Sequence, residues 1–413
     1  MIKKFIKKPK SAYRMIKKDG LLVFQIRMLE RLHRKLHPGQ VRLQTFAKVE
    51  DILVADWSNV DSDRFSPLSK KSHGPYTVNW VMSPPGKGSG GHQNLFRFIS
   101  FLEKAGHKNN IYFYSTIDPR SIVQIKEVLS DSSFDKVSAK IQWLKDSMEP
   151  ADAIFATGWE TAYPVFNSEV KAKRFYFVQD FEPYFYPVGS DYVLAENTYR
   201  FGFFGITAGG WLSKKLSADY GMQTDHYDFG AEKSLYRYEN SLKRKEIFFY
   251  ARPVTARRGF ELGIMALTKF HSKHPDITIN LAGWDVKEYD IPFPYVNLST
   301  LKLTELSDVY NRCSAALVIS LTNMSLLPLE LLACGTIPVV NDAPNNRLVS
   351  DNKYIAYTPN NPTALADKLS GIVSMQNIQQ YSEEASSSIA SNNWKVSGEK
   401  FVKIFETEMQ KNG

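Results

Sequence analysis

The chain has 413 residues, 43% of them hydrophobic and 23% charged, which excludes a disordered tail or a small stapled domain and leaves room for two cores of ordinary size. Two cysteines, Cys313 and Cys334, exclude a disulfide framework and a thiolate zinc site and fit a reducing compartment, with the cytoplasm as the default. The formal charge of +9 is not spread along the chain: residues 1–50 hold 14 Lys/Arg against 3 Asp/Glu, and the remainder is slightly acidic, with 38 against 40.

Residues 1–75 form a basic arm. Within it Leu22, Ile26, Leu29, Leu32 and Leu36 recur at helical spacing, Arg27, Arg31 and Arg34 occupy another face, and Pro38-Gly39 ends the run. The pattern predicts an amphipathic basic helix. Such a helix either lies peripherally on an anionic membrane face, where each lysine adds about 1 kcal/mol, or packs on its own domain, and the sequence leaves both open. Nucleic acid fits less well, because no stacking aromatics are interleaved with the arginines. No stretch approaches the roughly 18 apolar residues of a spanning helix, so neither a transmembrane segment nor a signal peptide is expected.

From Tyr76 onward, short apolar runs alternate with amphipathic segments. TVNWVM, NIYFYST, DAIFATG, RFYFVQD, FFGITAG and HYDFG read as strands, with helices such as NLFRFISFLEKAG and GGWLSKKLSADYG between them. After the charged segment EKSLYRYENSLKRKE a second series begins: strands EIFFYAR, ITINLAG, YVNLS, AALVIS, TIPVVN and YIAYT, with helices FELGIMALTKFHSKH, ELSDVYNRC and LLPLELLACG. This predicts an α/β chain with two Rossmann-like domains, residues 76–235 and 236–375, facing across a cleft. Residues 376–413 read as helices, returning to the first domain.

Ligands of open α/β sheets bind beyond the carboxyl ends of the strands, so the turns that follow strands carry the candidates. After EIFFYAR come Arg252, Arg257, Arg258 and Gly259 at a helix start, a set of guanidinium forks suited to a diphosphate. The buried-looking helix around Leu326 to Ala333 contains one carboxylate, Glu330, which needs a partner: sugar hydroxyls or a structural arginine. Ser325 is placed to cap that helix, with amides of Met324 and Leu326 facing the cleft. Lys302 precedes a helix capped by Thr304, with Glu305 in its first turn.

In the first half, PPGKGSGGHQN opens a helix with Gly90, Gly91 and His92, but its glycines have neither Walker nor dinucleotide spacing. The turn Gln179-Asp180-Phe181-Glu182 puts two carboxylates after a strand, ahead of Tyr184, Phe185 and Tyr186. Carboxylates orient sugar hydroxyls and aromatic rings cover sugar faces, so the turn suits a glycan, with Asp180 nearest the strand end and Glu182 the second choice. The one Asp-x-Asp triplet, Asp61-Ser62-Asp63, precedes the first sheet in polar sequence, so no metal is expected and diphosphate charge should be met by arginines and amides.

Together, YARPVTARRGFELGIMAL and LTELSDVYNRCSAALVISLTNMSLLPLELLACGTIPVV resemble the retaining GT-B nucleotide-sugar glycosyltransferases over most of residues 76–375. GKGSGGHQNLFRFISFLEKAGH, FVQDFEPYFYPVGSDYVLAENTYRFGFFGITAGGWL and DFGAE look similar to the rhamnan-type glycosyltransferases of bacterial surface polysaccharides, and the chain as a whole resembles the S-layer glycan rhamnosyltransferases. The resemblance implies a donor, dTDP-β-L-rhamnose, whose diphosphate is clamped by Arg252 and Arg258. It also implies that Leu301, Lys302 and Leu303 face the base, Asn323, Met324, Ser325 and Leu326 give amides to sugar and phosphate, and Glu330 accepts pentose hydroxyls. Gly90, Gly91 and His92 would line the acceptor side near the donor phosphate, with Asp180. A glutamate usual in that family eight positions before Glu330 is replaced by Thr322, which points either to a donor unlike glucose or mannose, such as a deoxy sugar, or to a weakened enzyme. Catalytic roles fall to Arg252, Arg258, Asp180 and His92, no bound cofactor is implied, and the partners are a nucleotide sugar and an oligosaccharide or lipid-linked glycan acceptor. A nucleotide-sugar epimerase and a non-catalytic nucleotide- or glycan-binding subunit are the rival functions, and the oligomeric state is left open.

Overall fold

The computed structural model describes residues 43–411 apart from 44, 61, 68–72, 87, 240–243 and 325. The basic helix read over Leu22 to Leu36, Asp61 of the Asp-x-Asp triplet and Ser325 therefore lie outside the described residues.

Two parallel sheets are built from the apolar runs. The first contains β1 (Thr77–Met82), β2 (Lys108–Phe113), β3 (Lys140–Trp143), β4 (Ala153–Ala156), β5 (Lys173–Val178), β6 (Phe204–Ala208) and β7 (Thr224–Tyr227), in the order β3-β2-β1-β4-β5-β6-β7. The second contains β8 (Glu246–Tyr250), β9 (Thr278–Ala282), β10 (Val296–Ser299), β11 (Cys313–Val318), β12 (Ile337–Asn341) and β13 (Ala356–Thr358), in the order β10-β9-β8-β11-β12-β13. The central strands β4 and β11 are buried at every position, as parallel strands covered on both faces must be, and this is why they read as unbroken apolar runs. Strand β3 is absent from the sequence reading. It is a four-residue edge strand with no buried residue, so it lacks the apolar run that marks its neighbours.

The helices of the first half are α1 (Val49–Val54), α2 (Gly90–Lys104), α3 (Ile122–Ser130), α4 (Trp159–Asn167), α5 (Ser190–Asn197) and α6 (Gly210–Tyr220). Those of the second are α7 (Phe260–Lys273), α8 (Leu303–Arg312), α9 (Leu327–Ala333), α10 (Pro344–Arg347), α11 (Pro362–Val373), α12 (Ile378–Ser387) and α13 (Trp394–Gln410). Helix α8 starts one residue earlier than its proposed Thr304 cap. Lys302 holds the cap position and its N–H donates to Glu305 Oε2 at 2.8 Å, so the glutamate, not a threonine hydroxyl, closes this end.

Helix α13 crosses back to the first domain. Its buried Phe401 packs on Phe98 (4.7 Å between ring centroids) and on Trp80, and Phe405 packs on Phe175 (5.4 Å). A Cβ at Gly398 would stand 2.3 Å from Phe101, so only glycine lets α13 approach α2 this closely. No helix among the described residues is long and apolar enough to cross a membrane.

In each sheet the order reverses once, between β1 and β4 and between β8 and β11. These are the topological switch points at which open α/β sheets hold ligands. The loops that leave β1, β4, β5, β8 and β11 meet there, and they contain most of the residues singled out above.

Candidate active site

On the second domain's side, the turn after β8 brings three guanidiniums together. Arg258 is half-buried, and its Nη1 donates to Ser320 Oγ at 2.9 Å. Burial pulls its pKa down, and the like charges of Arg257 and Arg252 act in the same direction while Asp180 opposes them. Arg252 Nη1 reaches Tyr250 Oη only at 3.4 Å. The Nε donors of both Arg252 and Arg257 are buried without a hydrogen-bond partner. Buried donors of like charge left unpaired are costly, and an anion placed among them removes the cost. Gly259 makes the turn: its φ is 55°, and a Cβ would lie 2.7 Å from Ile319 Cγ2 at the end of β11. Both the left-handed backbone and the close approach require glycine here.

The loop after β11 is braced from within its own domain. Ser320 N–H donates to Asn341 Oδ1 (2.8 Å), its carbonyl accepts from Asn345 and Asn346, and its hydroxyl donates to the Asn323 carbonyl (2.7 Å). Met324 is buried and its N–H donates to the Asn345 carbonyl at 3.3 Å. That corrects the expectation of a cleft-facing amide at this position: internal bracing has used the donor. Leu326, at the cap position of α9, has no backbone acceptor for its N–H among the described residues. Lys302 and Leu303 follow β10, the edge strand two places from β8, and Lys302 is exposed.

Glu330 projects from α9 and makes no ion pair among the described residues. Burial raises its pKa to about 7, and the one group that pulls it back is Arg97 of α2, on the opposite domain. Arg97 is itself buried against the Trp394 ring at 4.0 Å and donates to Asn94 Oδ1. Nothing in the sequence singled out Arg97, because it sits mid-helix among the apolar residues that pack on the sheet.

Asp180 joins the two domains. From the end of β5, its Oδ2 accepts from Thr322 Oγ1 at 2.8 Å and its Oδ1 accepts from the N–H of Asn323 at 2.8 Å. Asn323 Nδ2 in turn donates to the carbonyls of Gln179 (3.0 Å) and Ala208 (2.8 Å). Arg257 Nε lies 3.6 Å from Asp180 Oδ2, and its guanidinium covers the Phe185 ring at 4.1 Å. Burial pushes the Asp180 carboxyl upward, while Arg257, the Asn323 amide, Arg258 and Thr322 pull it back. A carboxylate thus reaches position 322 after all, carried there by the other domain.

On the first domain's side lies a cavity of about 320 Å³, lined among others by His92, Gly91, Glu160 and Glu182. Both ring nitrogens of His92 are engaged, Nε2 with the Ser83 carbonyl and Nδ1 with Ser89 Oγ, each at 2.8 Å. Burial lowers its pKa, so the ring is neutral, donating through Nε2 and accepting through Nδ1. Gly91 accepts at its carbonyl from Gln179 Nε2, and a Cβ at Gly90 would meet nothing within 4 Å. Among the described residues no three His, Cys, Asp or Glu side chains are grouped as metal ligands.

The architecture and this cleft can be set beside known proteins. The WsaF N-terminal domain matches residues 121–207 and the WsaF C-terminal domain matches residues 245–370, together more than half of the chain. The chain belongs to the WsaF family. It is also 30% identical over 281 residues to the O-antigen biosynthesis protein RfbC of Myxococcus xanthus, covering 66% of this chain and 22% of that protein's length. Solved structures with the same two-sheet architecture include S. aureus TarM in complex with fondaparinux, α-GlcNAc-glycerol and UDP (TM-score 0.62, 9% identity, 81% of this chain and all of that one). Anabaena HepE in complex with UDP and glucose is another (TM-score 0.61, 13% identity, 80% and 99%). The fold is GT-B, and the chain spans about a fifth of the length of the curated relative it matches.

Proposed function

We propose that this chain transfers a deoxyhexose, L-rhamnose from dTDP-β-L-rhamnose, to a rhamnan-type surface glycan with retention of configuration and without a metal. The observation that carries the reading is the group of three guanidiniums at the β8/β11 switch point, two of them with a buried Nε that makes no hydrogen bond and only one of those two, Arg257, beside a carboxylate. Arg252 and Arg258 would hold the diphosphate, and Glu330 would accept the pentose hydroxyls.

In the transfer, an acceptor hydroxyl oxygen approaches the anomeric carbon from the side on which the diphosphate leaves. The bond from that carbon to the phosphate oxygen breaks with both electrons staying on the diphosphate. The new glycosidic bond forms, and the acceptor's proton passes to the released phosphate oxygen. Charge grows on the leaving group, where Arg252 and Arg258 are already in place to stabilise it. The β configuration of the donor is kept.

The acceptor would be an oligosaccharide or a lipid-linked glycan entering along the first domain, past Asp180 and His92. The relative described as an O-antigen biosynthesis protein supports a place in surface-polysaccharide assembly, and the basic arm would bring the enzyme to an anionic membrane face. Incubation with dTDP-β-L-rhamnose and a rhamnose-terminated oligosaccharide tests the reading: mass spectrometry should find one added deoxyhexose and NMR a β linkage. Free rhamnose or an isomerised donor as the sole product, or dTDP binding with no turnover of any donor, would replace the reading with one of its rivals.

A further inference from the structure

The cavity on the first domain has an unusual charge. Glu182 is buried at 7% exposure, and its Oε2 accepts from the Trp159 N–H (2.6 Å) and from Tyr176 Oη (3.1 Å). The residue lines the cavity, and its other oxygen, Oε1, takes part in neither of these bonds. Glu160 lies beside it, its carboxyl folded over Gly158 so closely that a Cβ there would meet Oε2 at 2.8 Å. Four rings line the space, Phe46, Trp159, Phe185 and Tyr186: Trp159 donates to Tyr186 Oη at 3.0 Å, and Phe46 stands 6.2 Å from Trp159 and 5.6 Å from Tyr186.

No lysine or arginine lines this cavity, and its one histidine is neutral. Burial pushes both carboxyls upward, and the charge of Glu160 raises Glu182 further, so the pair resists the approach of another negative charge. A ligand that donates hydroxyl protons and lays an apolar face on a ring is matched at every wall. A ligand with a carboxylate would bring a further negative charge beside Glu160 and Glu182, where the lining has no lysine or arginine and the Arg257 guanidinium, behind the Phe185 ring, already faces Asp180 at 3.6 Å.

We propose that this cavity seats the terminal ring of the acceptor and that Glu160 and Glu182 set its charge specificity, admitting a neutral, hydroxyl-rich sugar and rejecting one that carries a carboxylate. The inference rests on the glycosyltransferase reading for the identity of the ligand, but not on which nucleotide the other domain binds.

The test is a binding measurement by saturation-transfer NMR and calorimetry with two trisaccharides, one ending in L-rhamnose and one in a hexuronic acid. Wild type should bind the neutral trisaccharide at least tenfold more tightly than the acidic one. Glu160→Gln should narrow that ratio several-fold while leaving the dTDP-induced rise in Tm intact, which shows that the variant is folded and the donor site whole. Glu182→Gln is the second variant, with a lower Tm expected because it alters the group paired with Trp159 and Tyr176. Equal affinity of wild type for the two trisaccharides, binding of neither, or an unchanged ratio in both variants would overturn the proposal. A dTDP effect that is absent from wild type would instead count against the donor reading.

Discussion

The two walls of the cleft are built by the same fold and have opposite chemistry. Each follows the switch point of a parallel sheet and begins a helix. The wall of the second domain carries Arg252, Arg257 and Arg258, the first two with a buried Nε that makes no hydrogen bond; that of the first carries Glu160 and Glu182 among aromatic rings, with no lysine or arginine in the lining. The difference teaches that position in the fold fixes where a ligand lies but not its charge. On the proposed reading an anionic donor would lie on one side and a neutral acceptor on the other; Asp180, which touches Thr322 and Asn323 across the gap, is the joint between the two walls.

The largest effect should come from removing the basic wall. Arg258→Ala should lower kcat/KM for sugar transfer by about 10²–10³, the range found when a preorganised charge stabiliser is lost, with Tm changed little by comparison; steady-state kinetics checks this. Breaking the joint comes next. Asp180→Ala leaves the Asn323 amide and the Thr322 hydroxyl without their acceptor and should cost about 2–4 kcal/mol of unfolding free energy in denaturant titrations.

The third prediction concerns pH. Glu330, raised to about 7 by burial, binds its proton more tightly in the folded chain than in the unfolded one. Its contribution is therefore complete below the unfolded carboxyl range near 4.5 and is lost as pH rises through about 7. Without nucleotide, stability should fall between pH 5 and pH 8 by on the order of 1–3 kcal/mol from this group, and Glu330→Gln should flatten that part of the fall in Tm. Asp180, Glu160 and Glu182 are displaced in the same direction, so some slope should survive in the variant. The smallest effect is expected for Thr322→Val, which removes one hydrogen bond to Asp180 and should cost about 1 kcal/mol.

Much of this was legible in the sequence, for physical reasons. Parallel strands buried on both faces leave continuous apolar runs, as β11 and β12 do, and shorter apolar stretches marked the edge strands β7, β10 and β13, so that twelve of the thirteen described strands were read. Arg252, Arg258, Asp180 and Glu330 stood out as candidates because charged residues placed after such strands, or inside an apolar helix, need a partner, although the sequence left open whether that partner is a ligand or another side chain. What escaped was whatever depends on contacts distant in sequence. The approach of Arg97 to Glu330, and that of Asp180 to Thr322, each join residues from separate domains. Glu160 was passed over because a glutamate in the first turn of a helix is ordinary; only the folded chain brings it beside Glu182. The Met324 amide looked free because the asparagine-rich turn that takes it up follows the next strand.

The central claim is that the guanidinium cluster of the second domain holds a nucleoside diphosphate. Calorimetric titration of dTDP into wild type and into Arg252→Ala tests it most directly: wild type should bind, and the variant should bind at least tenfold more weakly at equal folded fraction. Equal affinity in both proteins would contradict the account.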